Sequence, residues 1–417
     1  MSKQTIITGL DIGSHTIKAL SAIKRPGQNN FDLLAKAKTS SSGIRKGVVI
    51  DLEKVSKKIT LVLEKIEKIS GEKIEEVWVN INGSHLFIIP SHGTIAVSRA
   101  DQKISQEDVE RVIQAAQAFP LPLNKEIIEV FPTEFTVDEE KKIKDILGMQ
   151  GTRIEVDILA LCAFSPYLKN LINTVLRVDV QVADIISSPM ASAKAVLSSQ
   201  QKELGVAVID VGAGTTGLSV FEEGELVHTA VFPIGSSNIT NDIAIGLKCD
   251  INLAERVKTE FGSCLYRQKE NKKKIKIPLK DTYFQDEDNS KEQPFLEFSL
   301  KILVDIIEAR VSEIFDVINK ELKKISKAKI LPAGIVLTGG GSKIPQIVGL
   351  AKKELKLPVK IGYPQGMVGI EDDVAWAGVC GLVLHGIQEN SLRDKNGLQG
   401  SRGIISFLKK IFKKFVP

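Results

Sequence analysis

Apolar positions along the chain fall into two kinds of pattern, and the two alternate. Short apolar runs at 6–12, 16–23, 31–37 and 77–81 have the length of strands, and the last is closed by Asn82-Gly83. Between them, Leu52, Val55, Ile59, Val62, Leu63 and Ile66 recur every three or four residues, which predicts a helix over 51–69. A smaller module is expected at 84–161, with strands at 93–98 and 127–137 and a helix over 106–119, capped by Ser105 and stopped by Pro120. Helical spacing resumes near 166–175, and a strand at 180–186 leads into a helix at 190–199. A second opening follows: a buried strand at 205–211, a hairpin of 215–222 and 226–232 turning at Glu223-Gly224, and helices near 238–247 and 252–261. A long helix is expected from about 300 to 322, then a strand at 333–337, a glycine loop and a helix running through 353. Strands mixed with helices in this order predict an α/β protein with mixed sheets under helical cover. Residues 265–294 are the most polar internal stretch and read as a solvated surface hairpin or loop, while 387–400 reads as a flexible linker.

Two of the strand openings repeat. Leu10-Asp11-Ile12-Gly13-Ser14-His15-Thr16 and Ile209-Asp210-Val211-Gly212-Ala213-Gly214-Thr215-Thr216 each follow an apolar strand and precede another. A glycine-rich reverse turn exposes backbone N–H groups that cradle phosphate oxygens, and the hydroxyls of Ser14, Thr16, Thr215 and Thr216 add donors. A carboxylate before each turn is electrostatically wrong beside phosphate alone. It makes sense if hydrated Mg²⁺ sits between Asp11, Asp210 and the phosphates, with Lys18 reaching the β- or γ-phosphate. A third loop, Thr338-Gly339-Gly340-Gly341-Ser342, lies between a strand and a helix and suits adenosine, since glycine lets a ligand approach the backbone closely. No GxxxxGK[ST] is present, so this is a different phosphate device from the Walker loop.

The 417 residues carry 56 basic and 51 acidic side chains, a net charge of +5. Arg402, Lys409, Lys410, Lys413 and Lys414 lie in the last seventeen residues, which hold no acid, so the rest of the chain is formally neutral. That argues against a broad nucleic-acid-binding surface, and an aromatic fraction of 5% offers no base-stacking platform. Cys162, Cys249, Cys264 and Cys380 form no CxxC pair, and the first residues lack a signal peptide's apolar core, so a cytosolic body is expected. His85 and His92 flank an apolar strand without an evident third metal ligand, and Trp78 and Trp376 sit in apolar runs as core residues.

The tail reads IISFLKKIFKKFV over 404–416. Ile404, Ile405, Phe407, Leu408, Ile411, Phe412, Phe415 and Val416 form a wide apolar stripe on a 3.6-residue helix, with the lysines on the other face. Seventeen helical residues span about 25 Å, but the central lysines forbid crossing a bilayer. The pattern predicts an interfacial helix on an anionic leaflet, where each basic residue contributes roughly 1 kcal/mol. A terminal helix docked on its own body is the competing expectation.

The three glycine loops in this order resemble the actin/Hsp70/sugar-kinase superfamily. Asp11–Lys18 resembles its first phosphate loop, 210–216 its second, 337–342 its adenosine motif, and 188–191 and 374–381 its two interdomain connections. Within it the chain is similar to the FtsA family of bacterial cell-division proteins. The stretches Gly9-Leu10-Asp11-Ile12-Gly13, Gly47-Val48-Val49-Ile50-Asp51, Val79-Asn80-Ile81-Asn82-Gly83, Pro233-Ile234-Gly235 and Thr240-Asn241-Asp242-Ile243-Ala244 carry that similarity, together with the basic tail. The resemblance implies an actin-like ATPase fold of two lobes with related mixed sheets: subdomain 1A at 1–83 and 162–200, an inserted subdomain 1C at 84–161, 2A at 201–235 and 301–386, and 2B at 236–300. It further implies ATP and Mg²⁺ in the cleft, with Gly235 beside it and Glu255 and Lys258 against the ribose or adenine; the alternative for that pair is an ordinary i,i+3 surface contact. The expected partners are FtsZ, whose C-terminal peptide would sit on 2B, further copies of the chain in an actin-like protofilament, anionic lipids and other divisome proteins. The expected location is the cytoplasmic side of the cell membrane, peripheral, at the division site. Chaperone-type members place a Glu where this chain has Ser188, and His15 occupies the middle of the first turn. These motifs hold no evident base for activating water, so nucleotide is expected to act mainly as a conformational ligand with at most slow hydrolysis. Two other readings stand beside this one: a PilM-like pilus-assembly ATPase, and a sugar kinase or chaperone of the same superfamily.

Overall fold

The computed structural model describes residues 6–24, 31–266, 274–278, 295–326, 330–370 and 373–395. The expected tail helix at 401–417 lies outside them, as does most of the polar stretch 265–294. The described part of that stretch includes the strand Lys274–Pro278, paired antiparallel with Phe295–Ser299.

Two sheets share one plan. In the first, Ile6–Ile12 pairs antiparallel with Thr16–Lys24, which pairs antiparallel with Phe31–Ser40; on its other edge Ile6–Ile12 runs parallel to Glu76–Ile81, which runs parallel to Gln181–Ser187. In the second, Val206–Val211 occupies the place of Ile6–Ile12. The meander Thr216–Glu222 and Glu225–Phe232 lies on one side, and the parallel strands Ile335–Thr338 and Val359–Ile361 lie on the other. The repeated glycine turns therefore sit at equivalent corners of equivalent sheets. Asp11 faces Lys18 across the first hairpin, and Asp210 faces Gly217 across the second.

Each lobe has its own apolar core. The Leu52–Ser70 helix, capped by the Asp51 carboxylate on Lys54 N–H at 3.1 Å, buries Val55, Ile59, Val62, Leu63 and Ile66 against the first sheet. The Leu300–Lys324 helix buries Leu303, Val304, Ile307, Val311, Phe315 and Ile318 against the second. A third core joins the lobes. It is built from the Ser188–Val196 helix, which leaves the first sheet, and the Ala377–Lys395 helix, which returns after the second. Where they cross, Gly381 lies so close to Ala191 that a Cβ would overlap its carbonyl oxygen. The chain also links back through Met367–Val368, which pairs parallel with Phe31–Ser40 as the first sheet's sixth strand.

Residues 87–164 form a separate four-stranded antiparallel sheet in the order Phe87–Ala96, Arg153–Phe164, Lys125–Val137, Glu140–Ile143. The Gln106–Ala116 helix covers it, started by the Ser105 and Asp108 capping box. The central strand Arg153–Phe164 carries no expectation above, although Ile154, Val156, Ile158, Ala160 and Cys162 alternate into the core. Lys144 at the sheet's edge reaches the second lobe, bonding the Glu223 carbonyl at 2.6 Å.

The helix expected at 190–199 breaks in two, Ser188–Val196 and Ser199–Leu204, because a new cap forms at Ser198 with Gln201. The linker expected from 387 is corrected: the Ala377–Lys395 helix continues into it, since a polar helix-forming sequence resembles a linker in composition alone. No helix among the described residues is long and apolar enough to cross a membrane.

The crossing yields a stability prediction. Gly381→Val should cost roughly 1–3 kcal/mol by overpacking, read as a lower thermal midpoint. Gly378→Ala, whose Cβ would find its nearest neighbour, Asp11 Oδ2, at 3.7 Å, should not lower it.

Candidate active-site cleft

The lobes enclose a cleft of about 560 Å³, within the range of small-molecule sites. Of the residues expected there, Asp11, Gly13, Ser14, His15, Thr16, Lys18, Asp210, Gly212, Ala213, Gly214, Thr215, Glu255, Lys258, Gly339, Gly340 and Gly341 line it. Three do not. Thr216 is fully buried and donates its hydroxyl to the Ile234 carbonyl at 2.8 Å; Ser342 is buried and donates to the Gly339 carbonyl at 2.7 Å. Gly235 packs against the Gly212 and Ala213 carbonyls, where a Cβ would collide. These residues shape the loops from behind: the two hydroxyls are spent on backbone carbonyls, and the Gly235 N–H bonds the Asn238 side chain at 3.0 Å.

The two phosphate-type turns have the same internal geometry: a Cβ at Gly13 would lie 2.7 Å from the Thr16 carbonyl oxygen, and one at Gly212 would lie 2.9 Å from that of Thr215. Across the cleft they meet. Ser14 accepts from Gly47 N–H at 3.0 Å, a Cβ on Gly214 would lie 2.8 Å from its Oγ, and Asn82 donates to Thr215 Oγ1 at 3.0 Å. The two turns therefore line one shared space.

The cleft carboxylates are all engaged. Asp11 Oδ2 pairs with Lys18 at 3.1 Å and its Oδ1 accepts from Asn80 at 2.8 Å. Asp210 accepts from the Ser192 hydroxyl, and Gly339, at φ 83°, leaves room for it where a Cβ would overlap the carboxylate. Burial pushes the Asp210 carboxyl up; the Ser192 hydrogen bond opposes that and the neighbouring Asp11 charge adds to it. Lys258 is buried and bonds Glu255 at 2.6 Å, Thr240 at 2.8 Å and the Ser236 carbonyl at 3.3 Å, so the pair is no loose surface contact. Burial alone would raise Glu255, but the Lys258 and Thr240 hydrogen bonds hold it below the usual carboxylate range. Asp373 pairs with Lys343 at 2.7 Å on the same wall.

Sequence reasoning missed several of these residues. Asn80 stands as the one polar side chain in the buried run Val77–Ile81, a signal in itself, because an amide in a central strand needs partners. Asn82, Lys343 and Asp373 gave no such signal: they reach the cleft only through the fold, as fully buried Ser192 reaches Asp210 behind it. Trp376 is buried but lines the cleft, with Lys36 over its ring at 5.6 Å. Trp78 is core. His85 is enclosed against Tyr167, and burial pushes it down to about 4. His92 pairs with Asp157 at 2.9 Å, and no group of three metal-ligating side chains occurs among the described residues.

Asp210 sets a pH dependence. Its folded pKa is raised from 3.8, so the stability it contributes is present in acid and is lost as pH rises above about 3.8. Asp210→Asn removes that loss. The variant's thermal midpoint should gain on the wild type as pH rises from about 4 and level off once pH passes the folded pKa, a difference followed by scanning calorimetry without nucleotide.

The family model for cell division protein FtsA matches residues 207–381, and that for the SHS2 domain inserted in FtsA matches 83–162. The FtsA of Pseudomonas aeruginosa is 32% identical over 390 residues, covering 93% of this chain and 90% of the relative. That of Borreliella burgdorferi is 34% identical, covering 92% and 91%. Among solved structures, the PilM–PilN type IV pilus biogenesis complex superposes with a TM-score of 0.64 at 16% identity, covering 91% of this chain and 98% of that one. Spiroplasma citri MreB5 bound to ADP gives 0.55 at 14%, covering 95% and 99%. The second pair shows an actin-like fold, and identity near one third across almost the whole length shows the family. This chain belongs to the FtsA family of bacterial cell-division proteins.

Proposed function

We propose that the chain binds ATP in the interlobe cleft, assembles as an actin-like polymer and tethers FtsZ filaments to the cytoplasmic face of the membrane at the division site. The observation that carries the nucleotide part is the pairing of two equivalent turns, each preceded by a carboxylate, over one polar cleft. The turns 13–16 and 212–215, with Lys18, would hold the phosphates, the Gly212 N–H closing its own turn on the Thr215 carbonyl at 2.9 Å, and 339–341 with Glu255 and Lys258 would hold the nucleoside. The donor set fits the group. Asp210 is buried beside a second carboxylate, and a divalent cation shared with Asp11 and the phosphates would offset that charge. Every carboxylate on the wall has a cation, amide or hydroxyl partner, which supports at most slow hydrolysis. Nucleotide then acts through its preference for the closed cleft.

The membrane part rests on the amphipathic pattern of 401–417, with Lys409, Lys410, Lys413 and Lys414 facing anionic lipid and Phe407, Leu408, Ile411, Phe412 and Phe415 entering it. One short helix binds reversibly; a polymer carrying many binds firmly. FtsZ's C-terminal peptide is placed on 236–300, and other divisome proteins would join on the remaining surface. Fold likeness to the pilus complex at 16% identity carries no activity across, and identity to cell-division proteins favours the division reading.

The test is a pelleting assay with anionic vesicles, ATP and FtsZ from the same cell. FtsZ should pellet with the full chain and stay in solution with residues 1–400. Full-length protein that pellets while leaving FtsZ behind would overturn the tether.

A further inference from the structure

The helix Ser188–Val196 reaches both cleft carboxylates from a single face. Ser188 and Ser192 lie one turn apart and so point the same way. Ser192 bonds Asp210 directly. Ser188 reaches Asp11 through Asn80, whose side-chain nitrogen donates to Ser188 Oγ at 2.9 Å and to Asp11 Oδ1 at 2.8 Å. The orientation of that amide is fixed. Its oxygen accepts from Ile12 N–H at 2.7 Å, and flipping it would set oxygen against carboxylate and nitrogen against N–H. The Ser188 hydroxyl is itself anchored on the Ile81 carbonyl at 3.3 Å. Asn80 is buried, and all three of its polar positions are used.

An amide on a central parallel strand forgoes apolar packing, and here it ties together the carboxylate, the residue before the first glycine turn and the start of the helix that crosses to the other lobe. We infer that Asn80 is a positioning residue for the cation: with Ser188 and Ser192 it uses one helical turn as a caliper that fixes Asp11 against Asp210 and so sets affinity for a divalent ion bound with nucleotide. The inference rests on the nucleotide–cation reading above. Partners that orient a metal-binding carboxylate typically account for 10–100-fold in metal affinity. Lys18 also holds Asp11 but would leave it for phosphate, which makes Asn80 the constant partner.

Calorimetric titration of ATP into the full chain, across a Mg²⁺ series and in EDTA, separates the roles. Asn80→Ala should raise the Mg²⁺ concentration for half-maximal tightening by about tenfold or more, with affinity in EDTA unchanged within twofold. Ser192→Ala should shift the same midpoint in the same direction. Ser188→Ala, which leaves the Asn80–Asp11 bond in place, should shift it less and answers the question if Asn80→Ala does not fold. Equal losses with and without Mg²⁺ would make these residues merely structural and overturn the inference, as would unchanged midpoints in folded variants. A wild-type chain whose ATP affinity is the same in Mg²⁺ and EDTA would remove the cation reading itself, and the caliper with it.

Discussion

Two half-buried carboxylates on facing walls of one cleft are the constraint around which the molecule is arranged. Like charges at close range in a poorly solvated space repel, and burial already favours the neutral form of Asp210. The surrounding groups answer that cost locally, with Lys18 and Asn80 on Asp11 and the Ser192 hydroxyl on Asp210. They leave a site whose charge the proposed cation would complete. The glycines follow from the same geometry: Gly339 clears space for Asp210, and Gly217 stands where the first hairpin has Lys18 because Pro189 occupies that room, its Cγ lying 2.7 Å from where a Cβ would be.

Holding those walls at a fixed spacing requires the lobes to meet closely elsewhere. The crossing of the Ser188–Val196 and Ala377–Lys395 helices does this through Gly381 and a dry core of Ile7, Met190, Val208, Val379 and Val383. A helix that belongs to the first lobe by sequence thereby packs on the second, and its serines reach both carboxylates. Movement of one lobe on the other therefore changes the carboxylate spacing directly. The inserted sheet adds a second link, since Lys144 bonds the Glu223 carbonyl of the second lobe.

Much of this was legible in the sequence. The two DxG turns, the strand before each and the third glycine loop are local patterns, and local backbone chemistry dictates them wherever they occur. The Ser105 cap is equally local. What escaped was non-local. Thr216 and Ser342 belong to the right loops but turn their hydroxyls to the backbone, and Gly235 packs behind the second turn, choices settled by how each loop closes. Lys343 and Asp373 are ordinary surface-type residues until the fold brings them to the cleft, and Ser192 is a buried helix residue until the fold sets it against Asp210. The strand Arg153–Phe164 alternates apolar residues into the core, a local signal in its sequence, and the polar end of the last helix reads as a linker because composition does not separate a polar helix from a coil.

The central claim is that the cleft holds nucleotide through a cation shared by Asp11 and Asp210. Crystals of the full chain grown with ATP and Mn²⁺ in place of Mg²⁺ test it, with anomalous scattering marking the ion. The account predicts one strong peak between the two carboxylates and the phosphates, with the nucleoside against 339–341. Nucleotide in the cleft with no peak near Asp11 and Asp210, or nucleotide bound outside the cleft, would contradict it.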